Sequence, residues 1–496
     1  MPELILNAAG VCVTTGTGNP VITGNTRKSG PISAITDGTE VAYYRRYTSS
    51  TRAGFENCIG IWRSSTNTIE RTSVEKSSNA GSPVVWLSNE QTIDISLNRG
   101  MFYSLGRVAT VADMVAMTGA AVGYHIQVQS YTATNNSGIL TFVAVAPATG
   151  TADGGSYING VGVQWKQIFG TRVDARAWGV GSGLGDDHTR WQAAIDYMSA
   201  LGGGKITFEG ECLLNGNITV KNGVVIEGSM PGPTGYKANF ATGNDWGSRI
   251  YIAEGYSIIL NAGSTVDGFF IHKNGVTFPQ TAVQSQSWTG TAIKGTMSSS
   301  FIRGCMIVGF EYGIDIGADG ATARNQIVDC GIDCQNGVRM SGSADLDRII
   351  NVHVFPFLSS GIEESDRFGN GIEVTDGDGK HIEGCFVFSH IKNYVIHNSN
   401  QVLMLGCGSD CDSATTTLTT NVAVEITGDT TNPQIVGCRF IGKCLNVLHI
   451  DMTDTTSGAT LNLTGNSFAA GCTAYLNVVD ATIIAVTGCT FSGCTY

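Results

Sequence analysis

The chain has 496 residues, 42% of them hydrophobic and only 14% charged, with 65 Gly and 10 Pro. This balance excludes a disordered chain, which is more charged and less apolar, and the length allows roughly two to four domains. The net charge of −12 argues against nucleic acid or an anionic membrane as partner, since both call for a basic face.

No apolar run reaches the length of a membrane span, and no basic stretch leads into an apolar one. Neither a membrane-inserted segment nor a cleaved signal is therefore expected. The 14 cysteines then read as free thiols made in a reducing compartment.

Residues 1–98 form a first unit. "VTTGTGNPVITG" is a strand–turn–strand pattern, "GTEVAYYRRYTS" alternates apolar and polar, and further short runs are separated by Ser, Asn and Gly. Thr68, Arg71, Thr72, Val74, Ser77, Ser78, Asn79 and Gly81 are similar to the recurrent pattern of a small β module at the N-termini of phage and prophage tail proteins. Residues 99–172 form a second unit. "VATVADMVAM" reads as a short helix, and "GYHIQVQSYT", "GILTFVAVA" and "DGGSYINGVGVQWKQIF" as three strand-like runs. The last resembles the connector that precedes the body of many tailspikes.

The body, 173–496, opens on "GDDHTRWQAAIDYMSALGGG". Trp191, Ala194, Ile195, Met198 and Leu201 fall on one face of a helix. Asp187 stands at its N-cap and Gly202, Gly203 and Gly204 end it. From residue 250 a loose repeat follows, anchored at Cys305, Cys330, Val352, Cys385, Cys407, Cys438, Asn466 and Cys489, with spacings of 25, 22, 33, 22, 31, 28 and 23 residues. A basic period of 22–25 with insertions fits a right-handed parallel β-helix, three short strands and three turns per rung. Leu is too sparse for a leucine-rich repeat. A second set, Cys334, Cys411, Cys444, Cys472 and Cys494, follows several anchors. Both sets read as inward ladders of small apolar side chains, stacked roughly 4.8 Å apart. The cysteine spacings lack paired His and do not suit zinc, so no metal and no cofactor is expected.

A β-helix leaves its first rung open, and an amphipathic helix laid over that end closes it. The stretch from Asp174 through Gly204 also resembles the leading motif of the pectate-lyase-like superfamily found in phage tailspikes. It departs from the motif at His188 and Arg190. The motif is structural, so Asp186, Asp187 and His188 carry no catalytic expectation. The order of the three units resembles that of a bacteriophage tailspike, a polysaccharide depolymerase. The resemblance implies an all-β chain: small N-terminal β-rich modules, one capping helix and a right-handed parallel β-helix. It also implies a virion tail protein made in the host cytoplasm that acts at the bacterial surface. Its partners are O-antigen or capsular polysaccharide, a homotrimer, and a baseplate or other tail protein held by residues 1–98.

Loops between rungs vary and carry function. Three are long: 274–288, 353–371 and 412–421. The second resembles a segment of several polysaccharide-degrading tailspikes. His353, Phe355, Phe357 and Arg367, with Trp288 from the first loop, are the expected substrate-binding residues, because rings stack on sugars and polar groups hold hydroxyls. Asp345 and Asp378 each lie seven residues before a rung anchor, so they are expected to stack about 5 Å apart. With Asp347, Asp376 and Glu364 they are the expected catalytic carboxylates, near the loop's Glu363 and Asp366. A pair at roughly 5–5.5 Å suits a retaining glycosidase and one at roughly 6.5–9.5 Å an inverting one. A lyase using Arg367, His353, His390 or Lys380 as base is the rival chemistry, and a spike that only binds its receptor is the third reading.

Overall fold

The structure is a computed structural model. It describes residues 7–12, 22–25, 40–47, 55–63, 68–77 and 91–96. From 106 onward it describes all but 134–138, 170–172, 184, 230–246, 279, 281, 297, 318–322, 343–344, 357–366, 389, 412–420, 443, 453–459, 471–473, 481–482 and 493–496.

The N-terminal strands form one six-stranded antiparallel sheet, in which Gln91–Ser96 lies between Asn7–Cys12 and Glu40–Tyr47. Thr68, Arg71, Thr72, Val74 and Ser77 lie on one of its strands, Thr68–Ser77. Ser78, Asn79 and Gly81 fall outside the described residues.

The second unit has a five-stranded sheet. Its short helix, Val111–Val115, is closed by a capping box between Thr110 and Asp113, which satisfies two otherwise orphan N–H groups. The helix connects Gly106–Thr110 to its parallel neighbour His125–Ser130. The run expected as a third strand is instead a hairpin, Tyr157–Asn159 with Gln164–Gln167. The Gly160 N–H donates to the Val163 carbonyl at 3.0 Å and closes the turn.

From Val173 onward the chain winds into the expected parallel β-helix. Three all-parallel sheets of 12, 11 and 10 strands run along it. The first sheet opens with Val173–Asp174 and Gly204–Thr207, the second with Glu211–Leu214, the third with Ile218–Val220. Each rung gives the core one apolar residue at a constant register. Ile206, Ile226, Val266, Ile302, Ile327 and Ile349 align in this way on successive strands of the first sheet, all buried.

The cysteine ladder stands at the corner between the first and second sheets. Cys305, Cys330, Cys385, Cys407 and Cys438 are buried there and Cys489 is half-buried, all as free thiols. Thiols donate to carbonyls of their own and the preceding rung, as Cys385 does to Glu383 and Ile349, both at 3.4 Å. Where Asn466 replaces cysteine, its amide accepts from the Cys438 N–H and donates to the Ile435 carbonyl, each at 2.8 Å. Cys334, Cys411 and Cys444 of the second set are also buried; Cys472 and Cys494 lie outside the described residues.

The helix His188–Ala200 covers the first rung. Trp191 is enclosed, edge-on to Phe208 at 5.4 Å and Phe269 at 6.3 Å, and its indole N–H donates to the Cys212 thiol at 3.3 Å. Leu201 departs from the expected apolar face and is 63% exposed, because the helix ends just before it. The cap chemistry also differs from expectation. Asp187 occupies the N-cap position but makes no side-chain cap bond; its carboxylate takes the Arg190 guanidinium at 3.0 Å. Asp186 instead accepts the backbone N–H groups of His188 at 3.0 Å and Asn215 at 2.8 Å, and also contacts the His188 ring. Burial by itself raises the Asp186 pKa, but these donors outweigh it and hold the carboxyl below its usual range. Asp186 thus ties the start of the helix to Asn215 of the first rung.

Candidate functional site

The three insertions expected to carry the site leave the β-helix at the same corner, between the second and third sheets. They join Phe270–Lys273 to Thr291–Gly295, His353–Val354 to Arg367–Asp378, and Gly408–Asp410 to Val422–Gly428. The rungs between them offer two outer faces, one on each side of that corner.

On the second sheet, side chains alternate inward and outward, and two outward rows cross several rungs. His353 pairs with Phe386, and Phe386 with Gly408. The next row runs from Asp333 past Phe355 to Phe388, which pairs with Asp410. The His353 and Phe386 rings lie 6.1 Å apart, and those of Phe355 and Phe388 5.1 Å. Partial desolvation lowers the His353 pKa, although the residue stays exposed. His353 and Phe355 thus stand together with two further rings, Phe386 and Phe388. Gly408 leaves room for the platform, because a Cβ there would meet the Phe386 ring at 2.8 Å.

Trp288 is not offered to a ligand. It is 5% exposed, and its ring packs edge-on against Phe278 at 5.8 Å. Phe278 of the same loop packs against the apolar cluster of Phe270, Met306 and Val308 on the outside of the second sheet. Phe357, Glu363, Glu364 and Asp366 lie outside the described residues. Arg367 begins its strand and pairs with His390, and its side chain is likewise outside them.

The expected carboxylates stand elsewhere. Asp345 and Asp378 sit three residues before Arg348 and His381, which pair on neighbouring strands, so they occupy equivalent places about one strand spacing apart. Asp345 is half-buried and takes the Arg324 guanidinium at 2.7 Å. Asp376 and Asp378 are exposed, and Asp376 accepts from the Asn398 amide at 3.1 Å. This edge is the corner between the third and first sheets. The 12-residue strand Arg367–Asp378 spans about 35 Å at the usual rise per residue, and Asp378 is at its far end. The expected meeting of these carboxylates with the loop is therefore corrected: the strand Arg367–Asp378 separates Asp378 from it, and the first-sheet strand His381–Glu383 lies between Asp378 and Phe386 of the aromatic run. Asp347 is fully buried and accepts the Asn325 N–H at 2.7 Å. Lys380, at the equivalent place one rung on, is buried too and donates to the carbonyls of Met340 and Thr375. Desolvation lowers its pKa to about 8, with Asp347 opposing the shift.

The third sheet carries a group that counting from the anchors misses. Asp315, Arg339 and Glu373 align on three successive strands of its outer face. Arg339 grips Asp315 through two bonds of 2.8 and 2.6 Å, and its guanidinium lies 4.5 Å over the Tyr312 ring. The Asp315 bond, more than burial opposes it, raises the Arg339 pKa further. Burial raises that of Tyr312, against the nearby Arg339 charge. The Asn370 amide donates to Glu373 at 2.8 Å. Asp315 and Glu373 thus flank an arginine two strand spacings apart, roughly 9.6 Å, beside the insertion corner. Offsets from the anchors hide them, because insertions at the corner change the count on each rung. Among the described residues, no group of three His, Cys, Asp or Glu side chains is arranged to hold a metal.

No family model matches the chain, and no curated protein matches it in sequence. Among solved structures it is similar to the tailspike protein of Acinetobacter phage vB_ApiP_P1, at 14% identity over 79% of this chain and 71% of that one, with a TM-score of 0.57. It is also similar to full-length tailspike protein 2 of an Escherichia coli O157:H7 bacteriophage, at 16% identity over 91% and 60%, TM-score 0.49. A third is the tailspike of Acinetobacter baumannii bacteriophage Fri1, a capsular polysaccharide depolymerase, at 16% identity over 79% and 76%, TM-score 0.45. The first of these likenesses, at this level of identity, defines a fold: the chain is a parallel β-helix of the kind that phage tailspikes have.

Proposed function

We propose that this chain is a phage tailspike that binds and cleaves a bacterial surface polysaccharide, O-antigen or capsule. The observation that carries the reading is the insertion corner, with an aromatic platform on the second sheet and Asp315 and Glu373 flanking Arg339 on the third. Rings stack on the apolar faces of pyranoses, while carboxylates and amides hold hydroxyls. The reaction proposed is glycosidic hydrolysis. One carboxyl gives its proton to the leaving oxygen as the bond to the anomeric carbon breaks. The other carboxylate takes a proton from water, whose hydroxyl bonds to that carbon. Two sets can supply the pair: Asp345, Asp376 and Asp378 on the far edge, or Asp315 and Glu373 beside the corner. Asp347 and Glu364 complete the candidates. Substrate contacts are assigned to His353, Phe355, Phe357 and Arg367, and Trp288 joins them only if its loop opens.

The second reading is a lyase, and the neutral His353 ring favours it by offering a base beside the platform. The unit 1–98 is assigned to attachment to the tail, and the chain to a homotrimer, since a β-helix has long flanks and closed symmetry suits a tail axis. Light scattering at one chain mass, 52.1 kDa, would refute the trimer. The cleavage test is digestion of purified host polysaccharide followed by mass spectrometry. Oligomers carrying added water support hydrolysis, oligomers with an unsaturated end mean lyase, and an unchanged polymer means a spike that only binds.

A further inference from the structure

Asn–Gly occurs six times in the sequence, at 159–160, 215–216, 222–223, 274–275, 336–337 and 370–371. The pair carries its own chemistry. The amide carbon of the asparagine side chain lies within reach of the next backbone nitrogen, and glycine has no Cβ to hinder the approach. A hydrogen bond on the glycine N–H must break before that nitrogen can react, and a pair locked in a sheet must wait for local opening.

Most of the pairs are held in place. Gly337 and Gly371 are buried within the third-sheet strands Asn336–Ser341 and Arg367–Asp378. The Gly160 N–H donates to the Val163 carbonyl at 3.0 Å, and the Gly223 N–H to the Gly263 carbonyl at 3.2 Å. Gly216 is buried against the His188 ring. The pair 274–275, at the start of the first long insertion, is different. Both of its residues are exposed, and a Cβ on Gly275 would meet nothing within 4 Å. Among the described residues, nothing accepts a hydrogen bond from the Gly275 N–H. The pair forms the centre of a turn, with Gly275 at a φ of 84°. The bond closing that turn, from the Val276 N–H to the Lys273 carbonyl, is 3.3 Å long, beyond the usual range.

We propose that Asn274 is a self-modification site, converting to aspartate and isoaspartate without an enzyme. The Gly275 nitrogen loses its proton and bonds to Cγ of Asn274, and ammonia leaves, closing a cyclic imide. Water then adds to one imide carbonyl and breaks one of the two C–N bonds. One product is aspartate; the other carries the backbone through the former side chain. The new negative charge stands next in sequence to Lys273, whose ammonium holds Glu254 at 2.8 Å and the Thr289 carbonyl at 3.1 Å across the base of the insertion.

The site does not depend on the cleavage reading. Its test is peptide mapping by mass spectrometry after the full chain is kept at body temperature and mildly alkaline pH, once in buffer and once in guanidinium chloride. In buffer, the peptide holding Asn274 should gain the mass of an amide turned to an acid and elute as two products. Every other Asn–Gly pair should react roughly fivefold or more slowly, since a bond or a buried position must open first. In guanidinium chloride all the pairs should react at similar rates, because only folding distinguishes them. Asn274→Gln lengthens the side chain by a methylene, so the ring closes far less readily, and the early acidic species on ion exchange should disappear. The proposal is overturned if Asn274 stays unmodified in buffer, if another Asn–Gly pair reacts there as fast, or if the acidic species persists in Asn274→Gln.

Discussion

Phe355 and Phe388 face each other at 5.1 Å and 42° on neighbouring strands of the second sheet, and both remain half-buried. Rings paired in this way, beside a corner from which three insertions leave, are suited to stacking on sugar. Replacing either ring by Ala should weaken polysaccharide binding roughly two- to tenfold. Titration calorimetry with oligosaccharide fragments reads the change. Parent-like affinity in both variants would move the polymer off this face.

The two carboxylate sets make separable predictions. Glu373→Gln and Asp315→Asn keep shape and remove an acid or base worth about 10²–10⁴-fold in rate. Asp345→Asn, Asp376→Asn and Asp378→Asn do the same on the far edge. Loss in one set, with oligomeric state and binding retained, places the reaction on that side. Arg339→Lys separates a structural role from a catalytic one. It keeps the charge but loses the two-pronged grip on Asp315, so it should lower activity less than Glu373→Gln. Parent rates in all five carboxylate variants would exclude both sets.

The repeat was readable because a stacked corner tolerates few side chains: the spacing of Cys305, Cys330 and Cys385 reports the rungs directly. The capping helix was readable for the same reason, since Trp191 and Ile195 must fill a closed end. The site was less so. Offsets counted back from the anchors do align Asp345 with Asp378, because the turn between the third and first sheets keeps its length there. They say nothing of how far that edge lies from His353. Asp315, Arg339 and Glu373 align only when strands are paired in space, since the insertions at the second corner erase any constant count. Trp288 reads as a binding ring in sequence; that it is buried, with Phe278 against its ring, depends on a loop folding back.

Asn466 tests the ladder. Its amide serves the Cys438 N–H and the Ile435 carbonyl, each at 2.8 Å. Asn466→Ala leaves both groups buried without that partner, at about 1–3 kcal/mol each. Asn466→Cys restores the thiol that other rungs use and should lose less. Urea unfolding ranks the three proteins, and a Cys variant less stable than the Ala variant would contradict the ladder.

Alkaline pH should destabilise the protein, and the sign follows from the same corner. Hydrogen bonding with Cys385, together with burial, pushes the Cys407 thiol up to about 12; burial raises those of Cys212 and Cys330. An unfolded thiol releases its proton near pH 8.5, so above that value the native state holds more protons than the unfolded one. The stabilisation is fully present below about pH 8.5 and is lost as pH rises toward the folded values. Lys380 acts in the opposite direction. Burial lowers it to about 8, against about 10.4 unfolded, so between these values the unfolded state binds the extra proton and stability gains. Several thiols oppose one lysine, and the urea midpoint should fall between pH 8.5 and 10. Lys380→Met removes the opposing contribution and should steepen that fall by about 1.4 kcal/mol per pH unit. A midpoint that stays level or rises over this range in the parent would show that the thiols are not closed in the corner as described.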